Sequence, residues 1–198
     1  MSEIKVDKIS PQSGVALEVG DSGDTITCSG TAVGFGGGKV LQCIAVHKSD
    51  VQTISGNTFT TVLSKTITPA ATSSSVLVQV QINVTASVRY AGVKLYRDGI
   101  QLSMGDAAGS RTRVSVESGS NDSNSNDGDV MHDSSITFLD TAISTISAVT
   151  YTVKCANTYS GGSYGTGSTT YINRVPTDTD ADYTQRGASS LILTEIGA

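Results

Sequence analysis

The chain has 198 residues, room for one domain with its own core and little for a second, and its 13 basic against 18 acidic side chains leave a net charge of −5. No Lys/Arg cluster exceeds Arg111 with Arg113, which argues against a nucleic-acid partner, and no apolar run approaches the roughly 20 residues that span a bilayer, so no membrane insertion is expected. Tryptophan is absent and phenylalanine numbers only 3 against 21 glycines, a small-residue, β-branched composition that favours strands.

The N-terminal "MSEIKVDKIS" has no apolar stretch of the kind a secretory signal needs, and export by the ordinary route is not expected. Beyond it, "KVDKI", "VALEV" and "DTITCSG" are strand-like scraps punctuated by Pro11, Gly14, Gly20, Gly23 and Gly30, and they end in "GFGGG" at 34–38. The composition shift there sets a boundary between a segment 1–35 and a domain 36–198. Ordering a backbone costs roughly 1–2 kcal/mol per residue, more than Ile4, Val6, Ile9, Val15, Leu17, Val19 and Ile26 can offset in one copy. Three chains wound together could bury these residues against one another, which makes 1–35 a trimeric attachment stem. A disordered leader is the other reading of the same residues.

From residue 40 every patterned segment has period two. Strands are expected at 40–47 and 58–66, then in "VLVQVQINVTA" at 76–86, with Val76, Val78, Val80, Ile82 and Val84 on one face. "VKLYRDGIQL" is a hairpin, because Asp98-Gly99 supplies the two positive-φ residues of a type I′ turn. Further strands are expected at 112–117, at 135–140, in "VTYTVKCA" with Val149, Tyr151, Val153 and Cys155 inward, and at Thr169–Ile172 and Ser189–Ile196. Only "DTAISTISAV" could pass for a short helix, and its β-branched content opposes that. About ten short strands without a helical period predict an all-β antiparallel sandwich or jelly roll behind the short stem. Leu41 and Leu77 fall at outward strand positions, a second sign of assembly between copies.

The three cysteines, Cys28, Cys43 and Cys155, are odd in number and widely spaced, so they read as free thiols made in a reducing cytoplasm. The loop "ESGSNDSNSNDGDVMHD" sets Asp122, Asn124, Asn126 and Asp133 at nearly calcium-loop spacing. Its glycine comes one position late, however, and the last position is Asp rather than Glu, so a solvated loop is expected and no metal. No nucleophile-elbow motif accompanies His47 or His132, and His132 with Asp129 and Asp133 reads as a charged loop cluster; no catalysis and no cofactor are expected. Tyr159 and Tyr164 in "YSGGSYGTGS" combine rigid aromatic faces with small polar residues, a composition suited to recognition, although either ring could equally pack under its loop. The candidate binding loops are 118–134 and 158–168, with Asp127, Asp129, His132, Tyr159 and Tyr164 as the candidate contacts.

The leader "IKVDKISPQSGVALEVGDSGDTIT", the glycine-rich joint and the terminal "ASSLILTEIGA" together resemble the tail-fibre and fibre-like virion proteins of bacteriophages of marine cyanobacteria and related hosts. That resemblance implies a C1q/TNF-like jelly-roll head, a homotrimer, a place in the virion after assembly in the host cytoplasm, and attachment to a host-surface glycan or protein. It also implies docking to other virion proteins through the stem. Directly attached fibres usually carry a longer N-terminal anchor, so docking through another protein, or a place on a different part of the particle, is expected. A purely structural part, such as a capsid decoration or tail adaptor, is the alternative, with a glycan-degrading enzyme third.

Overall fold

The computed structural model describes residues 39–87, 89–119, 130–159 and 168–197. The expected stem 1–35, with Ile4, Val6, Ile9, Val15, Leu17, Val19 and Ile26, lies outside the described residues, as does the expected boundary at 35/36. Among the described residues all regular structure is strand: β1 (Val40–Lys48), β2 (Gln52–Ser55), β3 (Thr60–Ile67), β4 (Ser75–Ala86), β5 (Tyr90–Arg97), β6 (Ile100–Leu102), β7 (Val116–Gly119), β8 (His132–Asp140), β9 (Val149–Asn157), β10 (Thr169–Ile172) and β11 (Ser189–Ile196).

These strands form two antiparallel sheets. The front sheet runs β1-β11-β4-β10-β2, with β8 on the other edge of β4, and the back sheet runs β3-β9-β5-β6, with β7 also on β5. β6 and β7 lie along the same edge of β5, at Leu95–Arg97 and Tyr90–Val93, and act as one interrupted strand. Counted that way, and with the short β2–β10 pair left aside, the eight main strands stand in order first, eighth, third, sixth in front and second, seventh, fourth, fifth behind, which is a jelly roll. The expected all-β sandwich is therefore the observed fold.

The alternation that predicted the strands also sets the core. Val76, Val78, Val80, Ile82 and Val84 are all buried, facing Val93, Leu95, Tyr151 and Val153 of the back sheet. Each such aliphatic stabilises the fold by roughly 1.5–3 kcal/mol through burial. Asp98 and Gly99 have φ of 47° and 85°, as the hairpin turn requires.

Three strand expectations need correction. The segment expected at 58–66 is preceded by a separate four-residue strand, β2, whose partner β10 is distant in sequence, so nothing local announces it. The strand expected at 112–117 begins only at Val116, because Ser115 takes over the ladder: its hydroxyl accepts from Leu95 N–H (3.0 Å) and donates to Leu102 C=O (3.2 Å), splicing β6 to β7. β8 starts at His132 rather than 135, since its pairing with β4 extends to Val84.

Two carboxylates are buried at the end where β1 begins. Glu195 points inward from β11, where Gln42 Nε2 (2.6 Å) and the Ala70 N–H (2.7 Å) donate to it. Burial by itself would raise its pKa, but these donors, with Ser74 beside them, hold the carboxyl below its ordinary value of 4.5. A depressed pKa contributes stability that is present above about 4.5 and lost as the pH falls through the folded-state value. Glu195→Gln is therefore expected to cost about 2 kcal/mol at pH 7, the size of a charge-assisted pair of bonds, and progressively less as the pH drops below 4.5. Urea titrations across that range check it; a cost independent of pH would mean that ionisation plays no part.

Candidate functional site

The two long loops singled out in the sequence open at the same end of the sandwich. Loop 118–134 leaves β7 at Gly119, opposite Tyr90, and returns in β8 at His132, opposite Val84. Loop 158–168 leaves β9 at Asn157, opposite Ala91, and returns in β10, where Thr170 pairs with Ala86. Lys39 is at the other end, where its carbonyl accepts from Gly197 N–H (2.8 Å) and Val40 pairs with Ile196. The chain that precedes the jelly roll thus joins it at the end away from both loops.

The loop bases are tied down. Thr158 N–H donates to Tyr90 C=O (3.1 Å), Gly56 N–H to Ser168 C=O (2.8 Å) and Ser87 N–H to Thr169 C=O (2.7 Å). Thr85 Oγ1 donates to Val130 C=O (3.2 Å), fixing the return of the first loop. A rigid rim is what a recognition loop needs if binding is not to be weakened by ordering the scaffold as well.

On this rim Tyr159 packs edge-to-face against Tyr90, ring centroids 6.5 Å apart at 66°, and the Arg89 guanidinium lies 4.8 Å from the Tyr159 ring centroid. Tyr90 is 40% exposed, Tyr159 half-buried. Arg89 has φ 60°, a left-handed conformation that costs a side-chain-bearing residue about 1–3 kcal/mol. Thr158 Oγ1 donates to Glu117 Oε2 (3.0 Å), placing a carboxylate beside the rings. Behind them the Lys94 ammonium sits 4.0 Å from the Phe59 ring centroid, and burial there lowers its pKa. Aromatic edges, a guanidinium, a carboxylate and hydroxyls on one rim can stack on a flat ligand and hydrogen-bond its polar groups.

Of the candidate contacts, Tyr159 lies in this cluster. Asp127, Asp129 and Tyr164 lie outside the described residues. His132 shares the inward series of β8 with Ser134 and Ile136, and its Nε2 is enclosed without a hydrogen-bond partner among the described residues. It belongs to the base of the loop more than to its surface. Sequence reasoning missed Tyr90, the first residue of β5, and Arg89, which precedes it in the tight β4–β5 connection rather than in a long loop. The available signal was the outward series Tyr90, Gly92, Lys94, Tyr96, which puts a large ring at the outer end of a strand.

Among the described residues no group of three or more His, Cys, Asp or Glu could hold a metal ion, and most of the loop 122–133 lies outside them. An open cleft near the start of β11 is lined by Asp178, Asp180, Thr184 and Arg186, and there Arg186 is paired with Asp178 at 2.7 Å.

No family model and no curated protein matches the sequence. Among solved structures, the chain is similar to the infectious bursal disease virus VP2 subviral particle, at 12% identity and a TM-score of 0.41 over 89% of this chain and 45% of that one. It is likewise similar to the infectious bursal disease virus Gx strain structure, at 14% identity and a TM-score of 0.40 over 88% and 42%. The chain spans less than half the length of either.

Proposed function

We propose that this chain is a non-enzymatic bacteriophage virion protein, a trimeric fibre whose jelly-roll head binds a host-surface component, a glycan before a protein. The observation that carries the reading is polarity. The bases of both candidate loops and the Tyr90–Tyr159 cluster lie at one end, and Lys39, through which the stem-like leader joins, is at the other. A fibre head needs that arrangement, with attachment behind and recognition in front. The leader and terminal strand that resemble phage fibre proteins supply the virion setting.

Binding at each head is weak in this reading, and three linked copies raise it by on the order of 10²–10⁴ when they engage together. Replacing Tyr159 and Tyr164 together by Ala, with Tyr90→Ala as a second variant, is expected to reduce particle adsorption far more than binding by an isolated head. Melting temperature should stay within a few degrees of the parent. Adsorption unchanged by all three substitutions would remove the rim as the receptor site. Immunogold labelling on the capsid shell in place of fibre tips would favour the decoration reading.

A further inference from the structure

The outer face of the front sheet is chemically unlike that of the back sheet. Strand register sets its side chains in rows. Cys43, Thr194, Leu77 and Leu139 lie across one row from β1 to β8. Ala45, Ile192, Gln79 and Thr137 form the next, and His47, Ser190, Gln81 and Ser135 the third. Ile196 and Leu41 close the end by Gly197, where the Leu41 side chain, carried on a β-bulge, covers the glycine. Leu41 is 45% and Leu139 48% exposed. No Asp, Glu, Lys or Arg stands in these rows; charge comes at the margins, with Asp133 opposite Asn83 at one end and Lys39 just before β1 at the other.

The back sheet shows what a solvated face of this protein looks like. Its outward positions carry Lys94 and Lys154, each over an aromatic ring, and a Thr66–Thr150 hydroxyl pair at 2.9 Å. One sheet therefore presents charge and hydroxyls, the other aliphatics, amides and hydroxyls with no ionised group except at its margin.

The geometry points to this front face as the surface through which copies of the chain associate, with Leu41, Leu77, Leu139, Ile192 and Ile196 at the centre of the contact. Charge selects a second copy of the chain as the occupant. At −5 per chain, copies repel wherever ionised surfaces meet, and this face is where they approach without burying a charge. Gln79, Gln81, Ser135, Thr137 and Ser190 each both donate and accept, so the face is complementary to itself, whereas a charged partner would find no counter-charge on it. Contiguous exposed apolar surface rimmed by polar groups is the usual mark of an interface. Around a threefold axis the contact is heterologous, the β1/β11 half of one copy meeting the β4/β8 half of the next.

This assignment rests on the trimeric reading above, and the test separates the two. In the full chain carrying Cys28→Ser, sedimentation equilibrium is expected to give a mass near three times 20.3 kDa, and Cys43 is expected to resist alkylation in that species. Ile192→Glu and, separately, Leu77→Glu bury an uncompensated charge and are expected to raise the dissociation constant about 100-fold or more while circular dichroism stays that of a folded sandwich. Cys43 should then react freely; Cys155 is fully buried and stays silent. A trimer that survives both substitutions, or one in which Cys43 is alkylated at the rate of a free thiol, overturns the face and leaves the trimer standing. A monomeric parent overturns both. Cys43 protection that persists in monomeric Ile192→Glu would assign the face to residues 1–38 of the same chain and overturn the assignment to a second copy.

Discussion

Arg97→Met is expected to destabilise the head by about 3–5 kcal/mol, because it leaves a buried carboxylate without its cation. Asp140 is 2% exposed at the end of β8 in the front sheet. The Arg97 guanidinium, carried on β5 in the back sheet, reaches across to it, with Nη1 2.7 Å from both carboxylate oxygens. From β9 the Tyr151 hydroxyl donates to Oδ2 at 2.9 Å, and the Ala142 N–H donates to Oδ1 at 3.1 Å. Burial first, and the neighbouring Asp140 second, push the Tyr151 hydroxyl far above its ordinary range, so it remains a donor at any pH the protein meets. Removing Arg97 leaves Asp140 with two neutral donors in an enclosed site, and the cost is that of a desolvation no longer fully compensated.

The same triad also joins the sheets, so its loss loosens the end where Lys39 joins. For a domain of this size 1 kcal/mol is worth roughly 2–4 °C, which makes the expected fall in Tm about 10 °C. Arg97→Met combined with Asp140→Leu should recover most of that, since both charges are then gone and apolar volume replaces them. Differential scanning calorimetry of the single and double variants decides the matter. A single-variant loss below about 1 kcal/mol would mean that solvent reaches the carboxylate and screens it, as at exposed pairs.

Arg97 and Asp140 also show where sequence reading stops. Arg97 was legible as the residue before the Asp98-Gly99 turn and Asp140 as the end of a strand, each by the alternation around it. Their meeting depends on two sheets closing face to face, and no spacing along the chain encodes it. The core was legible for the opposite reason. Val76 to Val84 declare their face by period alone, and Thr169–Ile172 and Ser189–Ile196 were bounded by turn residues that mark real ends. β2 was hidden because four residues carry too little pattern and its partner is more than 110 residues away. At the candidate site the long loops announced themselves by composition, and Tyr159 with them. Tyr90 and Arg89 did not, since what makes them part of the rim is the packing of the β4–β5 corner against Tyr159 at the base of the long loop 158–168. On the front face Leu41 and Leu77 were visible as outward aliphatics, but Leu139, Ile192 and Ile196 joined them only once register was known.

Asn173 carries the second large effect, and its variants should rank in an order that identifies the cause. It follows β10 directly and is fully buried, with φ 61°. Its Nδ2 donates to the carbonyls of Lys48 (2.9 Å) and Asp50 (3.0 Å), and its Oδ1 accepts from Ser189 Oγ (2.6 Å). Its backbone donates to Asn83 C=O (3.0 Å) and accepts from Gly187 N–H (3.0 Å). The residue therefore ties the β1–β2 turn and the entry to β11 together through its side chain and holds β4 through its backbone, at the start of the connection 174–188. Asn173→Ala orphans two carbonyls and a hydroxyl, each worth about 1–3 kcal/mol when buried, and adds about 1 kcal/mol because alanine resists a positive φ. A loss near 4 kcal/mol is expected. Asn173→Gly forfeits the same bonds without the backbone strain and should be about 1 kcal/mol milder than Ala. Asn173→Asp should be the worst of the three, because it turns a carboxylate oxygen toward two carbonyls with no cation facing it. Urea denaturation of the three variants reads the order directly. Equal losses for Gly and Ala would show that the left-handed backbone is not under strain, and an Asp variant milder than Ala would show that the amide sits the other way round, with its oxygen toward a donor.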